Sequence, residues 1–264
     1  GLTSDSDPLA RNIVWQIRFP RLLDAMIVGA ALAVSGALLQ GVTRNPLADP
    51  TILGVTAAAG LASATVIVID PRVPQWGIAA ACAGGGLVGA GVLFVIAYRG
   101  AVSPVRLALA GVALSAFFGA AIVGLLASSR TFLQTSLGFL AGGLYGSEWR
   151  DFRAMLPYIV PGFAGAMLLS GRLNILALGD DIAAGLGVVT DRTRLAILAG
   201  VGVLTAMAVA TAGLVSFVGL VCPHLARYTV GRDNRALIPV SALYGALLVS
   251  LADLIARLVI SPSE

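Results

Sequence analysis

Most of the side chains that carry out covalent or hydrolytic chemistry are scarce in this sequence. All 17 basic residues are arginine, histidine occurs once, at His224, and cysteine twice, at Cys82 and Cys222. A phosphate-cradling P-loop needs a lysine after its glycines, so this chain has none. A single histidine cannot form a two-histidine zinc helix. A Ser-His-Asp triad would have to use His224, which follows Pro223, and no serine sits in a nucleophile-elbow pattern. No Gly-x-Gly-x-x-Gly opens a βαβ unit. Cys82 and Cys222 lie inside apolar runs and read as core residues, neither disulfide partners nor metal ligands. An ion-coupled carrier usually places a charge deep in a span. The candidates are Asp24, Asp253 and Arg257. Asp24 comes four residues after Pro20 and reads as lying near a run's end, and Asp253 and Arg257 are spaced to pair on one helix face. The middles of the apolar runs lack charge, which disfavours ion-coupled transport and leaves it as the alternative class.

The elements that hold these residues are set by composition. Of 264 residues, 58% are apolar and 11% charged, with a mean hydropathy of +0.94. Soluble domains carry about 25% charge and about 45–50% apolar residues. This chain therefore reads as all-α, a polytopic helical membrane protein. Apolar runs cover residues 20–40, 51–69, 75–98, 106–127, 155–170, 195–212, 214–230 and 236–258. A span needs roughly 20 apolar residues, so these suggest about eight crossings. The glycine-rich stretch 136–146 is too interrupted for a full span and suits a half-helix. Glycines 84, 85, 86, 89 and 91, and Gly29, Ala33 and Gly36, place small residues at helix-contact spacing. A net charge of +4, with arginines mostly in short loops, excludes nucleic acid as a partner. If residues 12–21 are outside, nine arginines fall in inside loops and eight outside, so positive-inside counting barely orients the chain. No stretch after Gly1 reads as a signal peptide. No linker or composition shift divides it, so residues 1–264 read as one domain. The longest polar insertion, 172–194, holds a short amphipathic segment from Gly179 to Val188.

Several strings then occur in a specific order. They are Arg18-Phe19-Pro20-Arg21, Gly36-Ala37-Leu38-Leu39-Gln40, Arg44-Asn45-Pro46-Leu47-Ala48-Asp49-Pro50, and Leu53-Gly54-Val55. Leu109-Ala110-Gly111-Val112-Ala113-Leu114, Arg172-Leu173-Asn174 and Leu178-Gly179-Asp180-Asp181-Ile182-Ala183 follow. Near the end come Phe217-Val218-Gly219-Leu220, Pro223-His224, Gly231-Arg232-Asp233-Asn234-Arg235, and Ala252-Asp253 with Arg257. Together these resemble the FecCD/BtuC-type permease subunits of ABC importers for iron complexes and cobalamin. The resemblance covers nearly the whole chain. Such subunits have about ten spans, so the first and last are expected to lie outside Gly1 to Glu264.

The resemblance implies a BtuC-like type II ABC importer transmembrane domain that is not itself an enzyme. It implies two permease copies, as a homodimer or with a paralogous permease, in the cytoplasmic (inner) membrane of a bacterium. Two ATP-binding subunits would supply energy, and an extracytoplasmic binding protein would deliver the cargo. The chain itself would hold no cofactor, with ATP and Mg on the partner ATPase. The ATPase-coupling loop falls on Gly179, Asp180, Asp181, Ala183, Ala184, Leu186 and Gly187. Arg18, Arg21 and Arg257 match arginines that meet acidic residues of the binding protein, for which a planar guanidinium is suited. Gly111, Ser115 and Gly119 fall on the helix that lines the pathway. The implied cargo is a ferric siderophore, with haem or cobalamin as alternatives. No His, Cys or Met cluster in the runs would hold a bare metal, which agrees with a cargo carrying its own organic shell.

Overall fold

The computed structural model describes residues 11–51, 54–70, 72–98, 102–128, 142–144 and 146–260. Among them are nine α-helices: α1 (Phe19–Thr43), α2 (Val55–Ile69), α3 (Gln75–Ala97), α4 (Pro104–Ser128), α5 (Trp149–Ala177), α6 (Asp180–Gly185), α7 (Thr190–Ala212), α8 (Val218–Val230) and α9 (Asn234–Ile260). A π-helical segment, Ile13–Arg18, runs directly into α1. Among the described residues there is no β-strand, only a single bridge between Tyr98 and Val102.

Each apolar run carries a helix, but not all are equally long. Among the described residues, six helices are long and apolar enough to cross a membrane. The other two runs form α2, with 15 residues, and α8, with 13. At about 1.5 Å per residue, both fall short of a hydrocarbon core roughly 30 Å thick. Backbone geometry explains the shortening. Gly54 adopts φ +77°, which starts α2 late. Gly213 ends α7, residues 213–217 are non-helical, and Phe217 turns into α8 at φ +70°. Conversely, α5 is longer than its apolar run. It extends over Arg150, Arg153 and Arg172, and it accommodates Pro157 and Pro161 internally.

The first helix is the axis of the bundle. Its most apolar window is 78% buried, against 17% for α4 and 22% for α9. It packs on α9, α7, α8 and α5. Two contacts admit only glycine. A Cβ on Gly29 would overlap the Gly245 carbonyl of α9, and one on Gly36 would overlap Gly219 of α8. The Gln40 amide donates to the Gly219 carbonyl at 3.1 Å. The first turn of α8 therefore lies beside the middle of α1, inside the bundle. The buried carboxylate of Asp49 lies next to that turn, and its Oδ1 accepts the Thr51 N–H at 2.8 Å.

Of the glycines in α3, Gly85 and Gly89 meet Ala58 of α2, and Gly86 meets Gly202 of α7. Gly84 and Gly91 face open space. The stretch 136–146 expected as a half-helix lies mostly outside the described residues. Its described part shows Gly142 at φ +68° and the Gly143 N–H donating to the Ala212 carbonyl at 2.8 Å.

Candidate functional site

The bundle has two polar ends. One gathers the start of α1, the start of α5 and the end of α9. The other gathers the end of α1, the end of α5, α6 and the start of α7.

At the second end, α5 closes at Ala177 and Gly179 turns the chain at φ +122°. The short helix α6 follows, and Leu186 and Gly187, at φ +80°, close it. Of the residues expected there, Asp181, Ala184, Leu186 and Gly187 are exposed. So are Ile182 and Val189, 54% and 59% exposed, so an apolar strip faces outward. Ala183 is buried and anchors the helix on the bundle. Asp180 sits at the boundary and has specific partners. Its Oδ1 accepts Nη2 of Arg194 at 2.7 Å and Nη2 of Arg44. Arg44, the left-handed cap of α1 at φ 50°, also donates Nη2 and Nε to the Leu176 carbonyl, at 2.6 and 3.0 Å. Arg194 is buried in α7 and donates Nη1 to the Val102 carbonyl at 2.7 Å. Partial burial pushes the Asp180 carboxyl up, but the hydrogen bond and charge of Arg194, joined by Arg44, outweigh it and hold it below the usual carboxylate range.

The same end is pinned a second time. Asn174 of α5 donates Nδ2 to Asp233 at 2.6 Å, and its Oδ1 accepts the Asn234 N–H at 2.9 Å. The Arg235 N–H and the Asn174 amide together hold the Asp233 carboxyl below its ordinary range. His224, on α8, is exposed and stacks edge-on against Tyr228 at 5.2 Å. Among the described residues no three His, Cys, Asp or Glu side chains gather as a metal site.

At the opposite end, Arg21 donates Nη2 and Nε to Asp253 Oδ1, at 2.8 and 3.0 Å. Arg257 approaches Asp253 Oδ2 at 3.3 Å, the pairing expected from the i,i+4 spacing. Two of the three arginines expected at a docking surface thus share one carboxylate, and Arg18 is exposed nearby in the chain. An aromatic group flanks them. Trp15, Phe19, Trp149 and Phe152 pack in sequence, and the Trp149 indole donates to the Trp15 carbonyl at 2.9 Å. Asp24 lies near this end of α1, as its distance from Pro20 implies, beside the first turn of α5. It is fully buried, with Ser147 and Asp151 for neighbours.

The residues expected on a pathway, all in α4, sit in different settings. Gly111 is buried, Ser115 donates Oγ to the Thr51 carbonyl at 2.9 Å, and Gly119 is half-buried with open space at its Cβ. The contacts of Arg44 and Arg194 with Asp180, and of Arg21 with Asp253, carry no local signal in the sequence. Arg194 lies 14 residues from Asp180 and Arg44 lies 136, separations at which no local periodicity signals a contact.

This arrangement of long apolar helices, a short discontinuous α8 and an outward amphipathic turn at one polar end is matched among known proteins. The model of the FecCD transport family matches residues 1–264. The chain belongs to the FecCD transport family. It is 41% identical over 249 residues to the cobalamin import system permease protein BtuC of Halobacterium salinarum, covering 94% of this chain and 67% of that protein. It is 40% identical over 252 residues to the Fe(3+) dicitrate transport system permease protein FecD of Escherichia coli (strain K12), covering 96% of this chain and 79% of that one. A solved metal-chelate type ABC transporter in an inward-facing conformation superposes with a TM-score of 0.89 at 31% identity, covering 99% of this chain and 84% of that chain. This FecCD-family chain is therefore a multi-pass ABC importer permease.

Proposed function

We propose that this FecCD-family permease carries a metal ion held in an organic chelator, most specifically a ferric siderophore, into the cytoplasm. Energy comes from two separate ATP-binding subunits, which hold ATP and Mg. The observation that carries this reading is the exposed strip of Asp181, Ile182, Ala184, Leu186 and Gly187 on a short helix braced against α1 and α7. An apolar strip with one charge, presented on a rigid turn, suits a protein partner better than water. The Asp180 end is then cytoplasmic and the Asp253 end extracytoplasmic. Arg18, Arg21 and Arg257 meet acidic side chains of an extracytoplasmic binding protein. A second permease, identical or paralogous, completes the pathway, to which α4 contributes Gly111, Ser115 and Gly119. The membrane is the bacterial inner membrane. ATP binding closes the ATPase pair, the short helices move, and the opening of the pathway switches sides.

The relatives bear on cargo through their names. One imports ferric dicitrate and another cobalamin, and both cargoes are metals in organic shells. The match to a cobalamin permease at 41% identity keeps cobalamin as the second reading, with haem beside it. The coupling surface is tested by Ile182→Arg and Leu186→Arg in the complete complex. Both are expected to lose co-purification of the ATPase while membrane insertion is unchanged. Retained ATPase association in both would contradict the assignment.

A further inference from the structure

A helix of six residues cannot hold its own shape in isolation, so α6 moves with whatever fixes it. Ala183 supplies a small buried contact. The specific fixation is through Asp180. A single oxygen, Oδ1, receives guanidinium donors from Arg44 and Arg194. Those arginines belong to different parts of the bundle. Arg44 caps α1 and grips the last turn of α5 at Leu176. Arg194 stands in α7 and grips the Val102 carbonyl, just ahead of α4, while the Val102 N–H donates to Asp191 at 3.2 Å. The carboxylate thereby joins α6 to α1, α5, α7 and the lead into α4.

Charge makes this junction switchable. Two guanidinium groups that meet at one oxygen repel each other, and the negative charge of the carboxylate between them offsets that repulsion. Arg194 is 1% exposed and confined, whereas the Arg44 side chain is 33% exposed and can turn to water. Loss of the Asp180 charge therefore releases the Arg44 arm first and uncouples α6 from α1. The Arg194 arm stays with Val102.

We infer that Asp180 is a positioning residue that transmits displacement of α6 to α1, α7 and α4, and is not itself part of the ATPase-docking strip. The inference rests on the reading of α6 as the ATPase-facing element.

The test uses the complete importer, permease with ATPase and binding protein, in proteoliposomes. Ferric dicitrate, a ferric hydroxamate, haemin and cobalamin are supplied in parallel. ATPase co-purification, hydrolysis rate and uptake per ATP hydrolysed are read for wild type, Asp180→Ala, Asp180→Asn and Asp180→Glu. Asp180→Ala and Asp180→Asn are expected to retain the ATPase and its hydrolysis, with uptake per ATP falling about tenfold, a typical size for lost coupling between sites. Asp180→Glu, which keeps the charge, is expected to restore part of the uptake. If Asp180→Ala fails to accumulate, the isosteric Asp180→Asn carries the comparison. Unchanged uptake per ATP in Asp180→Asn would overturn the inference. So would loss of the ATPase from it, because Asp180 would then be a docking contact. A wild-type permease that binds no ATPase, or transports none of the four, would instead overturn the proposed function beneath it, and the inference with it.

Discussion

Asp253 draws one arginine from each end of the chain, and the two are not equivalent. The Arg21 side chain is 13% exposed and donates two hydrogen bonds, whereas that of Arg257 is 30% exposed and only ion-paired. Replacing Arg257 with Glu is expected to weaken binding-protein affinity about tenfold, or about 1.4 kcal/mol, with little change in thermal stability. Replacing Arg21 with Ala is expected to cost about 1.5–3 kcal/mol of stability, the range for a charged hydrogen bond. Binding isotherms and thermal unfolding of the same reconstituted samples separate the two effects. Equal affinity losses without any stability difference would contradict this division. Asp180 yields a pH prediction. Its carboxyl lies below the ordinary value of 3.8 in the folded protein. The stability it contributes is therefore fully present above that value and is lost as pH falls through the lower folded value. The stability difference between wild type and Asp180→Asn is expected to stay constant from about pH 8 to about pH 5 and to close only in stronger acid. Thermal melts across that range check it, and a gap that closes near neutrality would contradict it. Residue types at these positions were legible in the sequence, as was the Arg257–Asp253 pairing; the distant partners Arg21, Arg44 and Arg194 were not. Asp180 and Asp181 are adjacent, and only the fold distinguishes the one joined to Arg44 and Arg194 from the exposed one.

Helix crossings set the second scale. Gly29 and Gly245 meet backbone to backbone, so a side chain on either would force α1 and α9 apart. Gly245→Val is expected to destabilise the subunit by about 1–3 kcal/mol or more, as overpacking does. Gly84→Ala and Gly91→Ala, with open space at both positions, are expected to be neutral or to stabilise α3 slightly, since alanine favours helix. Thermal unfolding in one detergent compares all three. Destabilisation by Gly84→Ala as large as that by Gly245→Val would remove the distinction. Small-residue spacing identified helices that approach closely, but it could not tell Gly85, Gly86 and Gly89, which are in contact, from Gly84 and Gly91, which are not. The lengths of α2 and α8 were hidden for a related reason. Hydropathy counts apolar residues, whereas Gly54 and Phe217 set where helices begin, and Gly213 where one ends, through their backbone angles. Proline had the opposite effect in α5, where Pro157 and Pro161 sit inside one continuous helix.

At the scale of the molecule, the apolar bundle separates two arginine-carboxylate centres, one at each polar end. The composition established an all-α membrane protein, and the ordered strings established the family before any contact was known. Cargo stayed open because a chelate recognised through its organic shell needs no metal-ligand cluster to betray it in sequence. The most direct measurement is uptake by the permease reconstituted with its ATPase and binding protein, using ferric hydroxamate and ferric dicitrate with haemin and cobalamin in parallel. The account predicts ATP-dependent accumulation of a ferric chelate that disappears when the ATPase is omitted. Accumulation driven by an ion gradient, with no requirement for the ATPase, would contradict it.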